Sequence, residues 1–428
     1  MMKPTNKTSK ELFEYLENIP TIDAHEHLPP EEERINKKVD VLFVFFQNYT
    51  RSDFVTSGCP TETYNTFSNT EIPLHERWKK AKPYWEKIKT TSYSHAAMIA
   101  LKGIYGYDNI TDENIEEISQ KIQSENKKGL YKKVLKDKCN IKISINHIRK
   151  VELDKEFFVP AMHVDPFTDI FNISNLRELE KKYDTPIHSL RDLENLTRKI
   201  ISFWKSKGVV GLKFGHAYRR NLYFPKISYT QADKAFTKIF SSLSRWETTE
   251  HSLNGEDIDI LTNYMVHICI QSAQENNLVV IFHTGLQASN YRILDNTRPE
   301  RLTNLFKEYP KVKFDIFHGG LPYIDEAGIM AKYFPNVWVN MAWMHIISPE
   351  MSKIALKRWL DILPPSKIIG FGGDYHIVEK VYGHITMARI NIAEVLSQMI
   401  DEDRITIKQA KTICKQLMHD SPAELYNL

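Results

Sequence analysis

Short apolar runs alternate with longer amphipathic segments along most of this chain. The short runs are rich in β-branched and aromatic residues, which is typical of parallel strands that are buried on both faces. Strand–helix alternation repeated eight times predicts a (β/α)8 barrel of the TIM type. The eight predicted strands span residues 21–25, 141–146, 157–163, 209–215, 278–284, 312–318, 337–343 and 367–372.

Two of the predicted helices carry clear end signals. The segment 190–207 has helical periodicity and stops at Gly208, a residue type that often ends helices in the left-handed conformation. Ser348 is a predicted N-cap, and Pro349 follows it at the first helical position. The other helices are predicted at residues 11–18, 256–275, 300–308, 377–400 and 407–417.

The connection after the first strand is much longer than the few residues a βα loop normally needs. It contains an apolar run at 41–46 and helical patterns at 78–88 and 114–127. We therefore predict one barrel domain over residues 1–428, with a helical insertion at about 29–139. An insertion after a barrel strand lies beside the active site, which favours a role as a lid or in substrate specificity. A peripheral oligomerisation element is the alternative.

The composition is that of an ordinary globular protein, with 42% hydrophobic and 26% charged residues among 428. The net charge is only +3 and the lysines are scattered, which argues against a nucleic-acid partner. Apolar runs are too short to cross a membrane, and the N-terminus is polar, unlike a signal peptide. A cytoplasmic protein is expected, and a homo-oligomer is an open alternative. The four cysteines lie far apart, which favours a reducing compartment: Cys59, Cys139, Cys269 and Cys414.

Residues that can ligate a metal stand at the ends of four predicted strands. His25 and His27 are two apart on the first strand, so both imidazoles point to the same side. His283, His318 and Asp374 end the fifth, sixth and eighth strands, each followed by small residues. The strand ends of a barrel converge on one face, and neutral imidazole is a common ligand of zinc and similar ions. The pattern predicts a metal site at the mouth of the barrel.

These strand-end motifs resemble those of the amidohydrolase superfamily. The sequences DAHEHL, FHTG, FHGG and FGGDYH are most similar to its amidohydrolase-2 branch. The closing segment 421–426 also resembles the last helix of that family. The resemblance implies a metal-bearing distorted barrel of the kind found in hydrolases, lactonases and nonoxidative decarboxylases.

A second resemblance covers residues 85–118, which are similar to the helical region of uronate isomerases, an outlying branch of the same superfamily. The motif DAHEHLPP also resembles their first strand. His318 departs from the isomerase pattern for strand six, and the Ser-Arg pair that follows the isomerase aspartate is missing after Asp374.

The resemblance implies a role for each strand-end residue. His25, His27, His283 and Asp374 are the expected metal ligands, with Zn²⁺ as the expected ion and an open position for water or substrate. Asp374 is also the expected proton acceptor. His318 is expected to orient the substrate carbonyl or the attacking water.

Lys213 lies in the fourth strand, where binuclear members of the superfamily carry a carboxylated lysine that bridges two metals. In that case His283 and His318 would hold the second ion. One ion is favoured, because the motifs of this chain match the amidohydrolase-2 branch more closely. Two ions remain the alternative.

Further residues follow the strand ends and are candidates for substrate binding. Arg219 or Arg220 is suited to hold a substrate carboxylate through paired hydrogen bonds. The other candidates are His216, Tyr218, Trp343, His345 and His376, with His163 as a weaker one.

The leading hypothesis is a metal-dependent hydrolase that uses a metal-activated water on a small, polar, carboxylated substrate such as a lactone or amide. The runner-up is a uronate-isomerase-like aldose–ketose isomerase, followed by a nonoxidative decarboxylase. A catalytically silent barrel that binds a ligand is the non-enzyme alternative.

Overall fold

A barrel of eight parallel strands forms the centre of the molecule. The computed structural model describes residues 3–241 and 255–428. The strands follow one another around the sheet in chain order, so each βα unit packs beside the next. The predicted (β/α)8 barrel is thereby confirmed. The strands are β1 Thr21–Glu26, β2 Ile141–Asn146, β3 Phe158–His163, β4 Gly211–Phe214, β5 Val279–His283, β6 Phe314–Phe317, β7 Val337–Asn340 and β8 Ile368–Ile369.

The last strand and the first meet through an irregular segment rather than a regular ladder. β8 is only two residues long, and the chain that follows it pairs with β1 instead. The backbone N–H of Ala24 donates to the oxygen of Phe371 (3.1 Å), and the N–H of Asp374 donates to the oxygen of His25 (2.7 Å). This pairing closes the barrel and sets Asp374 directly beside β1.

Helices surround the barrel and fill the connections, and their caps explain several boundaries. Ser189 and Asp192 form a capping box at the start of the helix Leu190–Ser206, and Gly208 follows that helix with φ +88°. The Ser348 hydroxyl accepts from the Met351 N–H at the start of the helix Pro349–Ile362.

The first ten helices are α1 Lys7–Glu17, α2 Glu31–Ile35, α3 Val41–Phe45, α4 Thr50–Thr56, α5 Thr61–Asn65, α6 Leu74–Ile88, α7 Ser92–Ala100, α8 Ile115–Glu125, α9 Asp165–Thr168 and α10 Ile173–Tyr183. The others are α11 Leu190–Ser206, α12 Tyr229–Ser241, α13 Gly255–Glu275, α14 Thr303–Glu308, α15 Ile324–Tyr333, α16 Met344–Ile347, α17 Pro349–Ile362, α18 Val378–Asp401, α19 Ile407–Lys415 and α20 Ser421–Tyr426. Short 3-10 and π segments lie at His216–Tyr218, Leu294–Thr297, Pro299–Leu302, His318–Gly320 and Pro365–Lys367, and at Leu101–Tyr105, Lys132–Lys138 and Gln416–Asp420.

Strands β4 to β8 all end earlier than their predicted runs. The run 337–343 continues for three residues beyond β7, and the chain turns sharply at Trp343, where φ is +66°. His318 and Asp374 also have positive φ values, +65° and +59°. These turns replace the last ladder positions of the predicted strands, because the chain bends there into the mouth of the barrel.

The connection between β1 and β2 is helical, containing α2 to α8 and two π segments. Its apolar run forms α3, which Asp40 caps by accepting from the Phe43 N–H. Phe46 stacks on Trp85 with ring centroids 4.8 Å apart, so this region has an aromatic core of its own. The bounds predicted for the insertion, about 29–139, and its role as a lid stay predictions.

Among the described residues, no helix combines the length and apolarity that crossing a membrane requires.

A buried ion pair joins this helical region to the barrel. The Arg34 guanidinium of α2 contacts Glu379 Oε1 of α18 at 2.6 Å, and both side chains are almost fully buried. Tyr105 donates to the same carboxylate oxygen (3.1 Å), and Arg34 also donates to Asn126 Oδ1 (2.5 Å). The insertion is therefore anchored to α18 by a buried ion pair, in which each charge is stabilised by the other.

The Glu379→Gln variant tests this anchor. It keeps the shape of the side chain but leaves the Arg34 charge buried without its counterion, so the free energy of unfolding should fall by about 3–5 kcal/mol. Urea unfolding measures the loss. The control is Asp325→Asn, which removes the exposed Asp325–Arg358 pair and should cost less than about 1 kcal/mol. Equal effects of the two substitutions would contradict the anchoring role.

Candidate active site

Three side chains that can ligate a metal meet at the mouth of the barrel. His25 Nε2 lies 3.0 Å from Asp374 Oδ1, and His27 Nε2 lies 3.3 Å from the same oxygen. Their ligand atoms all lie within 4.8 Å of one another, and we call these three residues the histidine–aspartate cluster. His25 on β1 and His27, one residue beyond its end, point to the same side, as their spacing predicts, and barrel closure supplies the aspartate.

Residues next to the cluster hold its backbone in place. Tyr49 of the helical insertion donates its hydroxyl to the backbone oxygen of Asp374 (2.5 Å). Asp23 Oδ1 accepts from the Gly373 N–H (3.0 Å), and Glu26 Oε2 accepts from the Tyr375 N–H (2.8 Å). A Cβ atom at position 373 would lie 1.7 Å from Glu26 Oε1, so only glycine fits there. The acidic residues of the DAHEH motif thus hold the segment that carries Asp374.

Burial and neighbouring groups set the charge states of the cluster. Burial would raise the pKa of Asp374, but His25, His27 and His318 hold it well below its usual range. Burial lowers the pKa of His25 well below its usual value, only partly offset by Asp374, so the imidazole is neutral. A carboxylate and two neutral imidazoles are the protonation states that bind a divalent metal. The donor set and its spacing therefore fit such an ion.

His283 and His318 lie beside the cluster as a connected pair. His318 Nδ1 is 3.8 Å from Asp374 Oδ2, and His318 Nε2 is 3.0 Å from His283 Nδ1. His283 Nε2 lies 3.0 Å from the backbone oxygen of Leu286. His318 thus stands between Asp374 and His283. The assignment of His283 as a metal ligand stays a prediction.

Lys213 is buried in β4, facing the cluster. Its Nζ atom has no hydrogen-bond partner in the described part of the chain and lies 3.9 Å from the centre of the Phe317 ring. Burial lowers the pKa of Lys213 to about 7, against the opposing effect of Asp374, Asp315 and Asp165. The amine is therefore readily deprotonated. Carboxylation of this lysine, which the family resemblance implies, stays a prediction.

The cluster opens into a cavity of about 330 Å³, a size suited to a small polar molecule. Arg219 and His376, two of the predicted substrate-binding residues, lie on its wall. The full lining is His25, His27, Asn48, Tyr49, Arg149, His163, Asp165, Lys213, Gly215, Tyr218, Arg219, His283, Ala288, His318, Asp374 and His376.

Other candidates lie outside this cavity. His216 is completely buried, with Nε2 2.9 Å from the Thr168 hydroxyl. Trp343 stacks on Tyr49 with ring centroids 4.3 Å apart and lines a neighbouring cavity of about 890 Å³. His345 is buried behind β8, with Nε2 3.0 Å from the backbone oxygen of Gly370. The side chain of Arg220 pairs with Asp259. Substrate binding by His216 and Trp343 stays a prediction.

Four residues near the site were not singled out from the sequence. Arg149 and Asp165 line the cavity, and Tyr49 supports Asp374 from the insertion. His147 is buried at the end of β2 with its ring 4.2 Å from that of His25, and neither ring nitrogen has a partner among the described residues. His147 directly follows the predicted second strand, so its position in the sequence could have identified it. The contact of Tyr49 with Asp374 could not be predicted, because it depends on how the insertion folds.

The barrel and the histidine–aspartate cluster define a class of metal-binding barrel enzyme, and sequence comparison names the family. The amidohydrolase family profile matches residues 189–428, which is more than half of the chain. The chain belongs to the amidohydrolase family. The resemblance to its amidohydrolase-2 branch is therefore confirmed, and family members bind divalent metals.

Individual relatives resemble the chain over different lengths. Uronate isomerase of Thermotoga maritima is 21% identical, covering 99% of this chain and 98% of its own. Its solved structure superposes with a TM-score of 0.80 over 99% of this chain and 98% of that one, at 18% identity. The solved structure of glucuronate isomerase from Caulobacter crescentus superposes with a TM-score of 0.81. The match covers 99% of this chain and 95% of that one, at 14% identity. Protein fluG of Emericella nidulans is 25% identical over 34% of this chain. The matched part spans only 17% of that protein's length. The structural likenesses show a shared fold.

Metal content tests the cluster. Purified protein should carry about one divalent ion per chain, as expected for a catalytic site with an open position. His25→Ala removes one donor and should lower the bound metal strongly, whereas His188→Ala, at an exposed histidine, should leave it unchanged. Elemental analysis of dialysed samples measures both. Nearly two ions per chain with a carboxylated Lys213 would contradict the one-ion prediction, and metal-free folded protein after reconstitution would contradict the site itself.

Proposed function

We propose that this protein is a metal-dependent isomerase that interconverts the aldose and ketose forms of a uronic acid. The observation that carries the proposal is the extent of the likeness to uronate isomerases, which covers 99% of this chain and 98% of the relative. A likeness to the barrel alone would leave out the helical insertion, which supplies Tyr49 beside Asp374. The whole-chain likeness supports isomerisation better than the hydrolysis that the strand-end motifs favour.

The reaction needs two proton shifts and breaks no bond of the carbon skeleton. One proton moves from carbon 2 to carbon 1 of the open-chain sugar, and one moves from the oxygen on carbon 2 to the oxygen on carbon 1. The site must therefore bind the two neighbouring oxygens together and offer a group that exchanges protons with them.

The histidine–aspartate cluster is suited to the oxygen side of this reaction. Asp374 is a carboxylate whose Oδ1 lies within 3.3 Å of both imidazoles, so it is fixed in position. When bound there, a divalent ion would supply Lewis-acid polarisation of a substrate carbonyl. Asp374 takes the proton from one substrate oxygen and returns it to the other.

The cations for the substrate carboxylate lie on the wall of the same cavity. Arg219 pairs with Asp169 and lies 3.5 Å from Asp165, and Arg149 lies 3.9 Å from Asp165. These partners hold the two guanidinium groups at the cavity while leaving part of each exposed. Planar guanidinium groups bind carboxylates through paired hydrogen bonds. We assign Arg219, together with Arg149, to the acid group of the uronate.

His318 favours hydrolysis as a second candidate function. The isomerase pattern lacks a histidine at this strand end, whereas here His318 Nε2 lies 3.0 Å from His283 Nδ1, with Lys213 on the same cavity wall. This is the residue set that a hydrolase with a metal-activated water uses. A lactone or amide of a sugar acid is the substrate that such chemistry would take.

Turnover in D2O distinguishes these functions. Metal-loaded protein incubated with glucuronate or galacturonate should yield a ketose carrying deuterium at carbon 1, because the proton shift exposes the transferred hydrogen to solvent. Proton NMR detects both the ketose and its label. A panel of lactones and aromatic carboxylates run in parallel should remain unchanged. Opening of a lactone without any uronate isomerisation would contradict the proposal in favour of the hydrolase, and release of CO2 would favour a decarboxylase.

The Asp374→Asn variant tests the role of the carboxylate. The amide keeps the shape and one ligand oxygen but loses the charge and the basicity, so kcat should fall by roughly two to four orders of magnitude. Turnover and metal content are measured on the same sample, with Asp325→Asn as an exposed control. An Asp374→Asn enzyme that keeps its metal and works at the wild-type rate would rule out proton transfer by Asp374.

A further inference from the structure

A hydrogen-bonded histidine–carboxylate pair lies on the cavity wall beside the histidine–aspartate cluster. His163 ends β3, and its Nδ1 is 2.9 Å from Asp165 Oδ2 at the start of α9. Both residues line the cavity that Asp374 also lines. The proton shift between carbons in the proposed reaction still lacks a base, and this pair offers an imidazole that a carboxylate holds on the wall of the same cavity.

The pair is held in a single arrangement. Asp165 Oδ1 accepts from the Gly215 N–H at the end of β4 (2.8 Å), which fixes the carboxylate between two strand ends. Burial would raise the pKa of Asp165, but the hydrogen bonds from His163 and Gly215 lower it, so the residue is a carboxylate. A carboxylate can only accept, and it therefore selects the His163 tautomer with the proton on Nδ1.

That tautomer leaves the lone pair of Nε2 free. No hydrogen bond to His163 Nε2 exists within residues 3–241 and 255–428, and the side chain is 13% exposed. The ring stands 6.4 Å from the ring of His27, whose Nε2 is in turn 3.3 Å from Asp374 Oδ1. His163 and Asp374 therefore line the same cavity, with His27 between them, where one small substrate can reach both. An imidazole oriented by a carboxylate is a recurring form of general base.

We propose that His163 is the catalytic base that moves the proton between carbon 2 and carbon 1, and that Asp165 is its positioning residue. The proposal rests on the isomerase function proposed above. Nε2 takes the proton from carbon 2, the C–H electron pair forms the second bond between carbons 1 and 2, and the carbonyl pair moves to oxygen 1. Asp374 takes the proton from oxygen 2 and gives it to oxygen 1. The electron pair left on oxygen 2 forms the new carbonyl, and the pair of the carbon–carbon double bond takes the proton from Nε2 to carbon 1. The step is an internal redox change of the sugar and needs no added oxidant or reductant.

The His163→Asn variant separates the role of His163 as a base from its role in holding Asp165 in position. An asparagine amide can still donate to Asp165, so the wall and its arginines stay in place, but the base at Nε2 is gone. We expect kcat for uronate isomerisation to fall by about two to four orders of magnitude, with KM and bound metal little changed. Deuterium incorporation at carbon 1 should fall with it. His188→Asn is the matched control, because His188 is exposed and outside the cavity.

Two further measurements keep the test decisive if His163→Asn is unstable. His163→Ala should regain activity by about tenfold or more when imidazole is added, because a free imidazole can occupy the vacated space and accept the proton. In the folded wild type, ¹⁵N NMR of the His163 ring should show a protonated Nδ1 and an unprotonated Nε2, and Asp165→Asn should shift that balance and lower kcat less than His163→Asn does.

The outcomes separate this inference from the proposed function. Wild-type isomerisation and exchange, with His163→Asn equally active, would overturn the base assignment and leave the isomerase intact. A rise in KM alone in His163→Asn would show a binding role and would also overturn the assignment. Wild-type protein that holds metal and isomerises no uronate would overturn the function and the inference together.

Discussion

The contact of Asp374 with His25 and His27 is the constraint on which the rest of the site depends. The carboxylate lies 3.0 Å from His25 and 3.3 Å from His27, although the residues are separated by almost the whole chain. This contact exists because the segment after β8 pairs with β1 and closes the barrel. The same closure puts Asp374 in the left-handed region, with φ +59°, a conformation that hydrogen bonds from Asp374, Gly373 and Tyr375 to β1 residues maintain. Fold and site are therefore completed by one set of interactions.

Burial of charge is the second property that shapes the site. Imidazoles, carboxylates and the Lys213 amine are buried close together, where each charge depends strongly on its neighbours. The histidines stay neutral, because burial outweighs the attraction of Asp374. Such an arrangement is costly for a purely structural core, since neutral or apolar side chains would pack there without loss. Titratable groups with shifted pKa values are typical of functional sites.

The helical insertion connects the site to the stability of the whole molecule. Its anchor, Arg34 to Glu379, lies on α18, and α18 follows the segment that carries Asp374. Tyr49 of the same insertion reaches the backbone of Asp374 directly. The insertion thereby contributes to the geometry of the cluster as well as to the walls of the cavity. This dual contact gives a physical reason for the likeness to uronate isomerases to extend over the insertion, because the site is incomplete without it.

The sequence by itself determined the barrel and the position of most site residues along it. Apolar runs report burial on both faces of a strand, and a polar residue at the end of such a run reports the mouth of the barrel, which is how His25, His27, His283, His318 and Asp374 were found. Only the tertiary structure decided which of them touch, and it placed His318 between Asp374 and His283. It also brought in Tyr49, Asp165 and Arg149, and it placed His216 and Trp343 outside the smaller cavity. Periodicity records which face of an element is buried, whereas contacts between distant loops depend on sharp turns and on barrel closure, which leave no periodic trace in the chain.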